Sequence, residues 1–148
     1  MNVAYFLIPK SQVGCIGDDN TVRQGLEKLK RSGYSALPVV TRENRYVGTV
    51  SEGDFLWYLV QDDPFRNEEI RPISIRETED ALVRDVLRID RNPPVRITAT
   101  IDQLVERAMN QNFIPVVDDL GSFIGIVTRR DIIRYFQEKD TPRMQKRA

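Results

Sequence analysis

IPVVDDLGSFIGIVTRRDI, residues 114–132, reads as two short strands joined by a tight reversal and followed by the start of a helix. Ile114, Val116 and Val117 form the first apolar run; Phe123, Ile124, Ile126 and Val127 form the second. Between them Asp118, Asp119 and Gly121 supply turn chemistry, since Asp and Gly tolerate the backbone angles of a reversal. Thr128 stands where a helix N-cap belongs, with Asp131 three residues on at capping-box spacing.

Working outward, LPVVTRENRYVGTVSEGDF, residues 37–55, repeats this stretch without a gap. Pro38 aligns with Pro115, Gly48 with Gly125, Ser51 with Thr128 and Asp54 with Asp131, each pair 77 residues apart (115 − 38, 131 − 54). A constant offset running through apolar runs, turn and cap together marks an internal duplication.

The repeated pattern (apolar-Pro-Val-Val, a turn, Gly-apolar-Val-Ser/Thr-x-x-Asp) resembles the CBS motif, named after cystathionine beta-synthase. Two copies in one chain resemble a CBS pair, or Bateman module, over nearly the whole sequence. The elements GYSALPVV, residues 33–40, and FIGIVTRRDI, residues 123–132, are most similar to small stand-alone bacterial CBS proteins that bind cyclic di-AMP. The resemblance implies a fold in the α/β (α+β) class: tandem CBS repeats, each a short mixed three-stranded sheet with flanking helices, related by a pseudo-twofold. The expected division is a first repeat over 1–64, a linker over 65–79, a second repeat over 80–138 and a flexible tail over 139–148.

Bulk composition narrows the function. Lys plus Arg and Asp plus Glu each total 22, so the net charge is zero. Such a chain has no global attraction to nucleic acid or to an anionic membrane, and neither is expected as a partner; any phosphate site is local. The single cysteine, Cys15, excludes an intramolecular disulfide and fits a reducing compartment. No apolar run approaches the roughly 18 residues that a membrane span needs. The opening VAYFLI lacks the basic flank and length of a signal peptide, so a cytoplasmic location is expected. Histidine is absent, which removes Ser-His-Asp and Cys-His catalysis and the commonest zinc ligand. No Gly-rich phosphate loop is present either. The expectation is a protein that is not an enzyme and needs no cofactor or metal.

In chain order, residues 2–8 read as a short helix ended by Pro9, and residues 13–16 as a strand containing Gly14. Thr21 caps a helix with Gln24 as partner and Gly33 as its stop; Val22, Gly25, Leu26 and Leu29 share one face. Strands over 36–40 and 46–50 follow. A helix then runs from Ser51 or Glu52 to about Gln61, with Phe55, Leu56, Trp57, Tyr58, Leu59 and Val60 giving it more apolar surface than one half-domain buries. Residues 81–89 match the opening helix, residues 95–97 match 13–16, and Thr100 caps a helix with Gln103. On that helix Ile101, Leu104, Val105, Ala108 and Met109 follow the helical apolar period.

The site reading centres on Thr128, Arg129, Arg130 and Asp131. A helix N-terminus offers free N–H groups to a phosphate, arginines add permanent bidentate donors, and a carboxylate matches the two hydroxyls of a ribose. A plainer reading has Thr128 and Asp131 as capping residues and the arginines facing water. The duplication and the resemblance favour the ligand. In CBS pairs this turn faces the strand start of the other repeat, which implies a purine stacked on Tyr34 and read by Ser35 and Ala36. Val13, Gly14 and Cys15 then form the wall, and Lys10 lies near phosphate. The symmetric site joins Ser51 and Asp54 to Gln111, Asn112 and Phe113, with Val95, Arg96 and Ile97 as its wall. There Glu52 and Gly53 replace the arginines, so this site is expected to be weaker, to be empty or to select a less charged adenosyl ligand. The expected partners are an adenine nucleotide (cyclic di-AMP, or AMP, ADP or ATP), a second copy of the chain in a homodimer, and a separate effector protein. The alternative is a structural oligomerisation or docking module.

Overall fold

The computed structural model describes residues 2–62, 70–72, 75–88 and 91–140. The chain is α+β and holds two small mixed sheets, each in its own compact unit. One unit is Gly14–Arg91; the other joins Met1–Val13 to Asn92–Ala148.

In the Gly14–Arg91 unit, β2 (Ile16–Gly17) pairs in parallel with β3 (Ala36–Val40), which pairs antiparallel with β4 (Tyr46–Ser51). The crossover from β2 to β3 is α2 (Val22–Ser32). Its N-terminus is a full capping box of Thr21 and Gln24, and Gly33 closes it in the left-handed region at φ 74°. Val22, Gly25 and Leu29 are its buried face. After β4 comes α3 (Glu52–Leu59), and α5 (Val83–Val86) packs on α2 and α3. Ile16, Val22, Leu37, Val39, Val50, Phe55 and Val83 form the core. At Gly25 a β-carbon would lie 2.7 Å from Val83 and 3.0 Å from Phe55, so this glycine sets how closely α2 approaches its neighbours.

In the other unit the sheet order is β1 (Ile8–Pro9), β9 (Phe123–Thr128), β8 (Phe113–Val117), β7 (Val95–Arg96). The helices are α1 (Val3–Phe6), α6 (Ile101–Ala108) and α7 (Arg129–Asp140). Val3, Phe6, Leu104, Ile114, Val116, Val127 and Ile132 form the core. Edge-on ring contacts between Phe6 and Tyr135, at 5.4 Å, and between Tyr5 and Tyr135, at 6.0 Å, fasten α1 to α7.

The duplication is reproduced residue by residue. Ala36 pairs with Ser51 and Phe113 with Thr128; Val39 pairs with Gly48 and Val116 with Gly125; both ladders shift register at the next residue, after Val39 and after Val116. Further out, Ile8 pairs with Ile126 as Arg88 pairs with Thr49. The leading segment of each repeat therefore pairs with the second hairpin strand, β4 or β9, of the opposite repeat. Short sheets with an exposed edge gain a pairing partner by this exchange.

Several local expectations shift. The strand expected over 13–16 lies at Ile16–Gly17, because residues 10–12 form a 3-10 turn and ladder pairing with β3 starts only at Ile16. Its counterpart is Val95–Arg96, after which the Ile97 N–H still donates to the Val117 carbonyl at 3.0 Å. The opening helix is shorter than expected, since Ile8 and Pro9 join the sheet. The α3 helix ends at Leu59, where β-branched Val60 enters β5 (Val60–Asp62), paired with β6 (Ile70–Pro72). The helix α4 (Ile75–Asp80) begins in the expected linker and reaches the first residue of the expected second repeat; residues 63–69 and 73–74, like residues 141–148 of the expected tail, lie outside the described ones. Met109, placed by periodicity on the buried face, is 77 % exposed because α6 ends at Ala108. Among the described residues no helix is long and apolar enough to cross a membrane.

Candidate functional site

The turn from β9 into α7 carries the main candidates. Thr128 Oγ1 accepts the Asp131 N–H at 3.1 Å, which caps the helix as the spacing predicts. The Arg129 N–H donates to the Asn112 carbonyl at 2.9 Å, and its Nε donates to the Ala108 carbonyl at 2.7 Å. One edge of Arg129 is thus committed to the end of α6, whereas Arg130 is exposed. Asn112, Arg129, Arg130, Ile133, Arg134 and Gln137 line a concavity of about 500 Å³. Three guanidinium groups and no carboxylate face it, so it favours an anion.

Asp131 is partly exposed and lines an adjacent concavity of about 200 Å³ with Tyr5, Phe6, Arg134, Tyr135 and Glu138. Among the described residues its carboxylate has no hydrogen-bond or ion-pair partner. Arg134 borders both concavities. Sequence reasoning missed it, although its spacing of three and four residues from Asp131 and Arg130 places it on their side of the helix.

The counterpart turn, from β4 into α3, differs. Ser51 Oγ accepts the Asp54 N–H at 3.2 Å, and Asp54 Oδ2 accepts the Ser51 N–H at 2.9 Å. The other carboxylate oxygen, Oδ1, pairs with Arg91 Nη1 at 3.0 Å and lies 3.7 Å from Arg88 Nε. The Asp54 side chain is only 2 % exposed. Neither arginine stood out in the sequence, because a pairing across 37 residues has no local signature.

Of the other candidates, Tyr34, Ser35, Ala36, Gly14 and Cys15 lie with Ser51 and Asp54 in the Gly14–Arg91 unit. Tyr34 is 67 % exposed, its ring free of the core, and the Ser35 carbonyl accepts the Glu52 N–H at 2.9 Å. Lys10, Val13, Arg96, Ile97, Asn112 and Phe113 lie with residues 128–131 in the other unit. Within that unit Asn112 shares the arginine-lined concavity, while Arg96 lines a separate one of about 590 Å³ beside Thr100 and Arg107. Gln111 is buried, donating to the Pro93 and Phe113 carbonyls at 3.3 and 3.4 Å, so its role is internal bracing. Among the described residues no cluster of His, Cys, Asp or Glu could hold a metal ion.

Comparison with known proteins places this geometry in context. The CBS domain family model matches residues 7–61 and 83–138. The crystal structure of the Listeria monocytogenes CbpB protein in complex with c-di-AMP superposes with a TM-score of 0.78 at 26 % identity, covering 93 % of this chain and 96 % of that one. The cyclic di-AMP receptor B of Bacillus subtilis is 24 % identical over 132 residues, covering 89 % of this chain and 84 % of the receptor. An uncharacterised Methanocaldococcus jannaschii protein, MJ0188, is 29 % identical over 135 residues; the chain spans 43 % of its length.

Proposed function

The chain belongs to the CBS domain family, and from that premise we propose that it is a regulatory module that binds an adenine nucleotide without transforming it. Cyclic di-AMP is the first candidate ligand, supported by what the Listeria and Bacillus relatives bind. AMP, ADP and ATP follow. The observation that carries the reading is the Asp131 carboxylate, unpartnered among the described residues, at a helix N-terminus next to Arg129, Arg130 and Arg134. The carboxylate accepts from a ribose diol while the guanidinium groups and helix N–H groups hold phosphate. In the Gly14–Arg91 unit, Tyr34 carries an exposed ring of the kind that stacks on a purine. Ligand binding then shifts the balance between arrangements of the two repeats, by as much as its affinity for them differs, and a separate effector protein reads the outcome.

A structural reading draws on α3, where Leu56 is 56 % and Trp57 65 % exposed. Such a surface suits self-association into a homodimer. The two readings part on one experiment: calorimetry with cyclic di-AMP, AMP, ADP and ATP on the wild-type protein and on Arg130→Ala, with sizing in each ligand. The sensor reading expects binding that weakens in Arg130→Ala. No binding by any nucleotide, with an unchanged size, leaves the structural reading.

A further inference from the structure

Asp54 and Asp131 are counterparts in the duplication, yet their carboxylates stand in opposite states. Asp131 is partly exposed and its oxygens are free among the described residues, whereas Asp54 is buried and both its oxygens are occupied. Ser51 N–H takes Oδ2; Arg91 takes Oδ1, with Arg88 beside it. Both arginine side chains are about half exposed, whereas the carboxylate they meet is buried. A ribose diol needs two hydrogen bonds into carboxylate lone pairs, and a carboxylate with both oxygens engaged and its side chain only 2 % exposed is shut off from it.

The difference arises in the exchanged leading segments. Arg88 pairs with Thr49 at the position that Ile8 takes opposite Ile126. An isoleucine there provides no cation for Asp131. We infer that Arg91, assisted by Arg88, determines which of the two turns takes a ribose: it closes the turn at Ser51 to Asp54 and leaves Thr128 to Asp131 as the one receptive turn. Arg91 is thus a specificity-determining residue that sets how many ribosyl groups one chain holds. The inference rests on the adenine-nucleotide reading above.

The test is calorimetric stoichiometry with AMP and, in parallel, cyclic di-AMP. Wild type is expected to bind one AMP per chain, and Asp131→Asn to lose it. The double variant Arg88→Met with Arg91→Met is expected to bind two, the second equivalent disappearing when Asp54→Asn is added. Should the double variant not fold, Arg91→Met alone carries the test, and a folded variant that still binds one AMP overturns the inference. Residual AMP binding in Asp131→Asn that vanishes when Asp54→Asn is added means the second turn was open, which overturns the inference and spares the nucleotide reading. Residual binding indifferent to Asp54 overturns the site assignment on which both depend. Absence of any nucleotide binding by wild type overturns both.

Discussion

Gly125 lies so close to the backbone of Ile8 that a β-carbon on it would fall against the Ile8 carbonyl oxygen. Its counterpart Gly48 has nearly the same backbone angle, φ 157° against 158°, but a β-carbon there would meet the Leu87 side chain, at 2.9 Å. A side chain can rotate aside, whereas a paired strand must move as a whole. Gly125→Ala is therefore expected to cost about 1–3 kcal/mol more than Gly48→Ala, the usual range for overpacking. Urea denaturation of both variants checks this. Limited proteolysis within residues 2–13 should accelerate in Gly125→Ala alone.

The two duplicated aspartates should separate in stability measurements. Asp54→Ala removes a helix cap worth about 1 kcal/mol and a charge-assisted hydrogen bond worth about 1.5–3 kcal/mol, discounted because both arginines remain hydrated. A net loss of about 2 kcal/mol is expected. Asp131→Ala should lie within about 0.5 kcal/mol of wild type, as surface changes do, while weakening nucleotide binding. Equal losses from the two would contradict the asymmetry.

Neighbouring arginines should separate in the same way. Arg129 Nε bonds the Ala108 carbonyl, so Arg129→Ala is expected to lower stability by about 1–2 kcal/mol. Arg130→Ala should leave stability within about 0.5 kcal/mol and reduce phosphate affinity about tenfold, the loss of one charged contact. Paired thermal melts and calorimetry read both effects.

Tyr46 gives a pH prediction. Burial pushes its phenol up to about 12 from 10.0, only partly opposed by its hydrogen bond with Thr49 at 2.7 Å. The folded state thus holds this proton more tightly than the unfolded chain. Its contribution is fully present below pH 10 and fades as pH rises toward 12, by about 2–3 kcal/mol in all. The denaturation midpoint of wild type should fall relative to that of Tyr46→Phe across pH 9, 10 and 11.

What the sequence disclosed, and what it did not, follows from the range over which its signals act. The β8–β9 hairpin, its copy, the capping boxes at Thr21 and Thr100 and the stop at Gly33 are all set by residues within a few positions of one another. Which sheet edge the segments at Ile8 and Arg88 join is not local, since apolar periodicity identifies a buried face without naming what buries it. The same holds for Arg91 on Asp54. Met109 was misplaced because periodicity continues past the point where a helix ends. The cap at Thr128 was legible; that the Asp131 carboxylate does not return the hydrogen bond, and the part Arg134 plays beside it, emerged only with the folded helix.

The exchange of leading segments also has a consequence for biosynthesis. Gly14–Arg91 is contiguous and can close as soon as Arg88 and Arg91 have left the ribosome. Residues 2–13 emerge before it but have no sheet to join until Phe123–Thr128 follows, more than a hundred positions later. Their docking is a late, long-range closure, slow by the entropy of that loop. Residues 2–13 therefore stay idle while Gly14–Arg91 is already folded, until Phe123–Thr128 retires them.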